Sequence, residues 1–267
     1  MSISILEIKK RQSGKNQSEN SMGEEPEPQK VDDEEEKYEF DMVDQELDDL
    51  DKYLVPGTET VYYIPNYVTQ NDHDIILKAL KEKPGWKELP RRIVKKFGGD
   101  VTSEGLANKE ELPDYLQPLA QRIYDDFIIS SMPNHMLVNG YSPTDGIMPH
   151  TDGPAYHPEV ACLNLGANSL LSFWKNQDDV RESKYLARVY CEPRSLVIFT
   201  DKYYSDYLHG IEYVHSDKMS TTPEDRESYI DNWKSLDTPI GEGVIEKDRQ
   251  DVRYSITVRH VFEKSLE

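Results

Sequence analysis

The residues best suited to chemistry lie in the stretch 138–154, where His150 and Asp152 stand two apart. On an extended strand, residues i and i+2 project to the same face, so an imidazole and a carboxylate sit side by side. That is two-thirds of a 2-His-1-carboxylate facial triad, which holds Fe(II) and keeps cis positions open for substrate and oxygen. Asn139 and Tyr141 repeat the spacing one strand earlier and offer an amide and a phenol beside such a metal. The spacing alone is unspecific: among 7 histidines, His215-Ser216-Asp217 repeats it and His157-Pro158-Glu159 nearly does. Context separates them. His215 lies in the polar run 214–220, which reads as a solvated loop, whereas His150 follows Gly146-Ile147-Met148-Pro149 and precedes apolar strands. We assign the site to His150 and Asp152 and read His215 as a chance match.

Two further stretches carry complementary groups. Leu208-His209-Gly210-Ile211 follows an apolar strand and supplies an imidazole in a Gly-flanked setting. The run 253–259 alternates strictly, so Arg253, Ser255, Thr257 and Arg259 share one face, and Tyr254, Ile256 and Val258 the other. Two guanidinium groups and two hydroxyls on one face suit a dicarboxylate, which arginine binds bidentately and lysine cannot. The alternative is the charged solvent face of a half-buried strand.

The elements that must position these groups are mainly β. Val61-Tyr62-Tyr63-Ile64 opens the folded part, and a helix follows, capped by Thr69 or Asn71 and stopped by Pro84-Gly85. Residues 86–89 and 91–99 read as a hairpin whose second strand carries Arg91, Arg92, Lys95 and Lys96, beside Phe97. Those cations mark either a charge-protected edge strand or a rim that faces phosphates. A second amphipathic helix is expected over 113–130, although Pro118 fits only in a first turn. Strands are then expected at 135–141, 160–165, 170–174, 186–191, 196–200 and 254–262, a spacing that suggests a sandwich, jelly roll or barrel. Residues 214–250 form a polar insertion, expected as a surface loop or lid with helix near Thr222 to Leu236.

Composition bounds the rest. Half of the net charge of −20 lies in a polar segment, residues 1–57, which turns sharply acidic from Glu24 to Asp51. Such a segment is expected to be a disordered tail, able at most to engage a protein partner. Two cysteines make no disulfide framework, and the sequence has neither a signal-peptide core nor a long apolar run. No membrane association is expected, and a cytoplasmic or nuclear location is.

Taken in order, Asn139-x-Tyr141, His150-x-Asp152, Leu208-His209-Gly210 and Arg253-x-Ser255-x-Thr257-x-Arg259 resemble the AlkB family of Fe(II)/2-oxoglutarate-dependent dioxygenases. The likeness is strongest to the branch called AlkB homologue 6, through Val138-Asn139-Gly140-Tyr141 and Gly146-Ile147-Met148-Pro149-His150-x-Asp152-Gly153-Pro154. It spans residues from about 60 to 262 and leaves out the acidic tail and the insertion. The resemblance implies a domain over 58–267 with a double-stranded β-helix (jelly-roll) core and flanking helices. It also implies that His150, Asp152 and His209 bind Fe(II), and that Arg253, helped by Tyr141 and Ser255, holds the distal carboxylate of 2-oxoglutarate. Asn139 and Arg259 would meet the carboxylate nearer the metal, and the hairpin of Arg91, Arg92, Lys95, Lys96 and Phe97 would border the substrate pocket.

The implied reaction consumes O2 and 2-oxoglutarate, yields succinate and CO2, and oxidises a substrate C–H bond. If that carbon is an N-methyl, the product sheds formaldehyde. A short single-stranded nucleic acid is the expected substrate. Two rivals stay open: an oxygenase acting on a protein side chain, and a binding module of the same fold without turnover.

Overall fold

The computed structural model describes residues 38–42 and 47–262. Two antiparallel sheets face each other. The large one runs, edge to edge, β1 (Val61–Ile64), β11 (Leu196–Thr200), β8 (Glu159–Leu165), β15 (Arg253–Arg259), β6 (His135–Tyr141), β3 (Arg92–Phe97) and β2 (Lys87–Leu89). The small one runs β10 (Ala187–Cys191), β9 (Ser169–Trp174), β12 (Leu208–Ile211) and β7 (Ile147–His150). Two short ladders stand apart, β4 (Asp100–Thr102) with β5 (Gly105–Ala107), and β13 (Ser216–Met219) with β14 (Ile245–Asp248). This is the jelly-roll core that the strand spacing and the resemblance imply.

The large sheet is buried on both faces. One face packs with Phe173, Leu171, Val189 and Ile211 of the small sheet, through Tyr63, Val160, Val197 and Phe199. The other carries Ile93, Met136, Val138, Leu163, Leu196 and Ile256 against two helices. The first, α1 (Gln70–Glu82), starts in a capping box between Thr69 and Asp72 and buries Ile76, Ala79 and Leu80. The second, α2 (Gln117–Asp125), is shorter than expected. It begins so late that Pro118 falls in its first turn, and it ends where Phe127 turns to φ 56°.

Two expectations fail for physical reasons. The folded part does not begin at residue 58. Met42 is fully buried, Tyr38, Phe40, Leu47, Leu50 and Tyr53 pack on the helix-side core, and Asp41 N donates to the Asp72 carboxylate at 2.8 Å. These apolar residues, spaced through an acidic segment, form a strap across α1; residues 1–37 and 43–46 lie outside the described residues. The insertion 214–250 forms no helix longer than a single turn. Strand β10 is an edge with unpaired backbone groups, and an extended segment satisfies them. The Asn232 amide accepts from Tyr190 N and donates to Tyr190 O, both at 2.9 Å, and the Asp231 carboxylate accepts from Arg188 N at 2.7 Å. Ile230 and Met219 close over Leu170 and Tyr190, and the only regular helical turn there is Trp233–Ser235.

Candidate active site

Strands β7 and β12 are neighbours, with the Cα atoms of His150 and His209 in register. Their imidazoles are therefore adjacent, with ring centroids 4.4 Å apart. The approach is close: a Cβ on Gly210 would sit 2.8 Å from Ile147 O, so only glycine fits beside His209. Asp152 lies two residues beyond the end of β7, and one ligand atom from each of the three residues lies within 4.8 Å of the others. Among the described residues no other group of three or more His, Cys, Asp or Glu side chains is close enough to hold a metal.

The protonation states suit ligation. His150 Nδ1 lies 2.9 Å from Met148 O, which directs the proton to Nδ1 and leaves Nε2 free to bind. Burial pushes the His209 pKa down to about 3, and Asp152 only partly opposes it, so this imidazole is neutral. Burial works against the charged form of Asp152, but Arg259, with His209 and His150, holds its carboxyl below the ordinary value. Two imidazoles and one carboxylate form the donor set that keeps iron ferrous with positions open.

His150, Asp152 and His209 line a cavity of about 350 Å³ between the sheets. The alternation read along 253–259 is present, but that face turns inward: Arg253, Ser255, Thr257 and Arg259 all line the cavity. On the next strand Tyr141 pairs with Arg253 and Asn139 with Ser255. Arg253 is 4% exposed, hydrogen-bonds to Asn164 Oδ1, and keeps Nε and Nη1 buried without a partner. Asn139 Oδ1 is likewise buried and unpartnered. Burial raises the Tyr141 pKa to about 12 against the opposing fields of Arg253 and Arg92, so the phenol keeps its proton to donate. The orphaned Arg253 donors are costly, and a carboxylate ligand would satisfy them, whereas the Asn139 oxygen, an acceptor, needs a donor. Arg259 is also bound to the metal carboxylate: its Nη2 is engaged by Asp152 at 2.7 Å, and its Nε has no partner.

The hairpin divides. Arg92 lines the cavity, but alternation sends Ile93, Lys95 and Phe97 to the helix-side face. Lys95 is buried, donates to Lys83 O at 3.0 Å, and lies over the Trp86 and Phe97 rings, so it faces no phosphate. Phe97 packs edge-on against Tyr115, 6.1 Å between centroids, and is unavailable for stacking in the cavity. Lys96 pairs with Asp100, and Arg91 lies 5.5 Å from the Tyr213 ring. Neither lines the cavity; both stay exposed. His215 is exposed, and Asp217 is buried in a 2.6 Å ion pair with Arg249, so the second His-x-Asp is structural. Sequence reasoning missed Asn164, whose amide in the apolar run 160–165 was the available signal. It also missed that both cysteines, Cys162 and Cys191, line the cavity.

A double-stranded β-helix with a His-Asp-His cluster and basic groups across the cavity is the frame of a metal-dependent oxygenase. Residues 100–259 match the 2OG-Fe(II) oxygenase superfamily, and the chain belongs to that superfamily, within its AlkB family. It is 33% identical over 224 residues to the probable RNA/DNA demethylase ALKBH6 of Danio rerio, covering 80% of this chain and 91% of that protein. It is 29% identical over 171 residues to the uncharacterized protein L905 of Acanthamoeba polyphaga mimivirus, covering 62% and 80%. Among solved structures, that of OsALKBH1 superimposes with a TM-score of 0.47 at 15% identity, covering 78% of this chain and 98% of that one. The protein is therefore an Fe(II)/2-oxoglutarate dioxygenase with O2 as oxidant, and the donor set and orphaned guanidinium atoms fit those cofactors. Among the described residues no helix is long and apolar enough to cross a membrane.

Proposed function

We propose that this dioxygenase demethylates an N-alkylated nucleic acid, with His150, Asp152 and His209 as the iron ligands. The observation that carries the reading is the convergence of those three side chains and the unpartnered Arg253 donors on one cavity. Bound there, iron and 2-oxoglutarate supply an oxidant for a C–H bond, with release of succinate and CO2. The chain's own residues place and shield the reactants. Arg253, Tyr141 and Ser255 hold the distal carboxylate, Asn139 meets the carboxylate nearer the metal, and Arg259 acts through Asp152. Leu171, Val197, Phe199 and Ile211 form an apolar wall that excludes water.

A nucleic-acid substrate is supported by the likeness to ALKBH6 and by Arg91 and Lys96, exposed on the hairpin. With a net charge of −20 the chain repels a long polyanion, so contact is confined to a few nucleotides of single strand. The acidic tail is available to a protein partner, and the cytoplasm or nucleus is the inferred location. The test is succinate and formaldehyde release with a panel of methylated oligonucleotides and methylated peptides. Turnover driven only by a peptide would favour the protein-oxygenase reading. Ligand binding without any succinate would favour a binding module.

A further inference from the structure

We propose that Arg92 is a second guanidinium for the co-substrate, gripping the distal carboxylate of 2-oxoglutarate from the side of Tyr141 opposite Arg253. The inference rests on the reading that Arg253 takes that carboxylate. Its basis is register. Strand β3 pairs with β6 from Ile93 opposite Gly140, so Arg92 comes level with Tyr141, which is itself paired with Arg253. Three adjacent strands thus carry Arg92, Tyr141 and Arg253 in one row, and all three residues line the cavity. The Arg253 guanidinium lies 5.5 Å from the centre of the Tyr141 ring, and the fields of both guanidinium groups reach its phenol.

Charge pairing points the same way. The cavity is lined by three arginines, Arg92, Arg253 and Arg259, and by one carboxylate, Asp152. Asp152 is engaged by Arg259, which leaves Arg92 and Arg253 without a carboxylate in the lining. Arg92 Nε is buried with no partner, as are Arg253 Nε and Nη1. A buried Arg253 and a half-buried Arg92 facing one cavity are costly unless an anion joins them. The neighbouring Arg91 is directed elsewhere, onto the Tyr213 ring, so Arg92 is the hairpin cation that lines the cavity. A two-guanidinium grip would also make the site selective for 2-oxo dicarboxylates over 2-oxo acids of equal length that lack the distal carboxylate.

The test uses the full-length protein with Mn(II) in place of Fe(II), titrated calorimetrically with 2-oxoglutarate and with 2-oxopentanoate. Arg92→Leu should weaken 2-oxoglutarate binding about tenfold or more, as for a lost charge-assisted pair, and leave 2-oxopentanoate unchanged. Arg92→Lys should fall between, and it carries the comparison if the leucine variant does not fold. Unaltered 2-oxoglutarate affinity overturns the proposal; if methylated oligonucleotide binding drops instead, Arg92 belongs to the substrate. Arg253→Leu separates the two readings. If only that variant loses 2-oxoglutarate, the proposal for Arg92 fails alone; if neither does, the Arg253 assignment fails with it.

Discussion

Arg259 Nη2 donates to Asp152 Oδ2 at 2.7 Å, and both side chains are under a tenth exposed. The Tyr156 ring lies 4.5 Å from the guanidinium and covers it. Tyr156 in turn bridges to Val261, and His157 N and Phe262 N donate to His260 O and Ala155 O at 2.9 and 3.2 Å. The loop that carries the metal carboxylate is thereby tied to the chain leaving β15. Two stretches more than a hundred residues apart, 152–157 and 259–262, act as one support for a single oxygen atom.

This pairing makes stability depend on metal in a specific variant. Arg259→Met leaves the Asp152 charge buried and uncompensated in the metal-free protein, a loss of about 3–5 kcal/mol. Added Mn(II) should recover part of that loss. Thermal unfolding with and without Mn(II) checks it, and a loss that ignores the metal would contradict the coupling.

The two His-x-Asp motifs should respond oppositely. His150→Ala and Asp152→Ala are expected to abolish iron-dependent succinate formation, while His215→Ala, on an exposed side chain, should leave it near normal. Equal loss from His215→Ala would show that the wrong pair was chosen.

Replacing Arg253 by lysine keeps the charge and removes the fork. The affinity for 2-oxoglutarate should fall by about 1.5–3 kcal/mol, the worth of a charge-assisted bond. Titration with Mn(II) present reads this directly, and an unchanged affinity would remove Arg253 from the role.

The N-terminal strap should behave unlike the segment before it. Truncation to residue 37 is expected to leave the melting temperature intact, whereas Met42→Ala should cost about 2–5 kcal/mol because the side chain is fully buried. Chemical denaturation of both variants checks the boundary; a neutral Met42→Ala would detach the strap from the core.

His135 predicts an acid limit to stability. Burial, then Arg259 and Lys96, lowers its pKa from 6.5 to about 4, so the folded state favours the neutral ring. Its contribution is complete above about pH 6.5 and is lost as the pH falls toward 4, amounting to about 3 kcal/mol. His135→Gln should flatten the stability profile across that window, and an unchanged profile would assign the acid limit to other groups.

Much of this was legible from residue order. Strand alternation placed Arg253, Ser255, Thr257 and Arg259 on one face because the period of two is local to the backbone. The capping box at Thr69 and the neighbouring apolar spacing marked α1 for the same reason. What only the tertiary structure decided were pairings between distant segments. Sequence could not say that His209 lies opposite His150, that Asn164 holds Arg253, or that Lys95 and Phe97 turn to the helix side. Nor could it show that Met42 closes over the core and that Asn232 completes the edge of β10. In each case a buried group needed a partner, and the fold, which brings remote residues within a few ångströms, determined which partner it met.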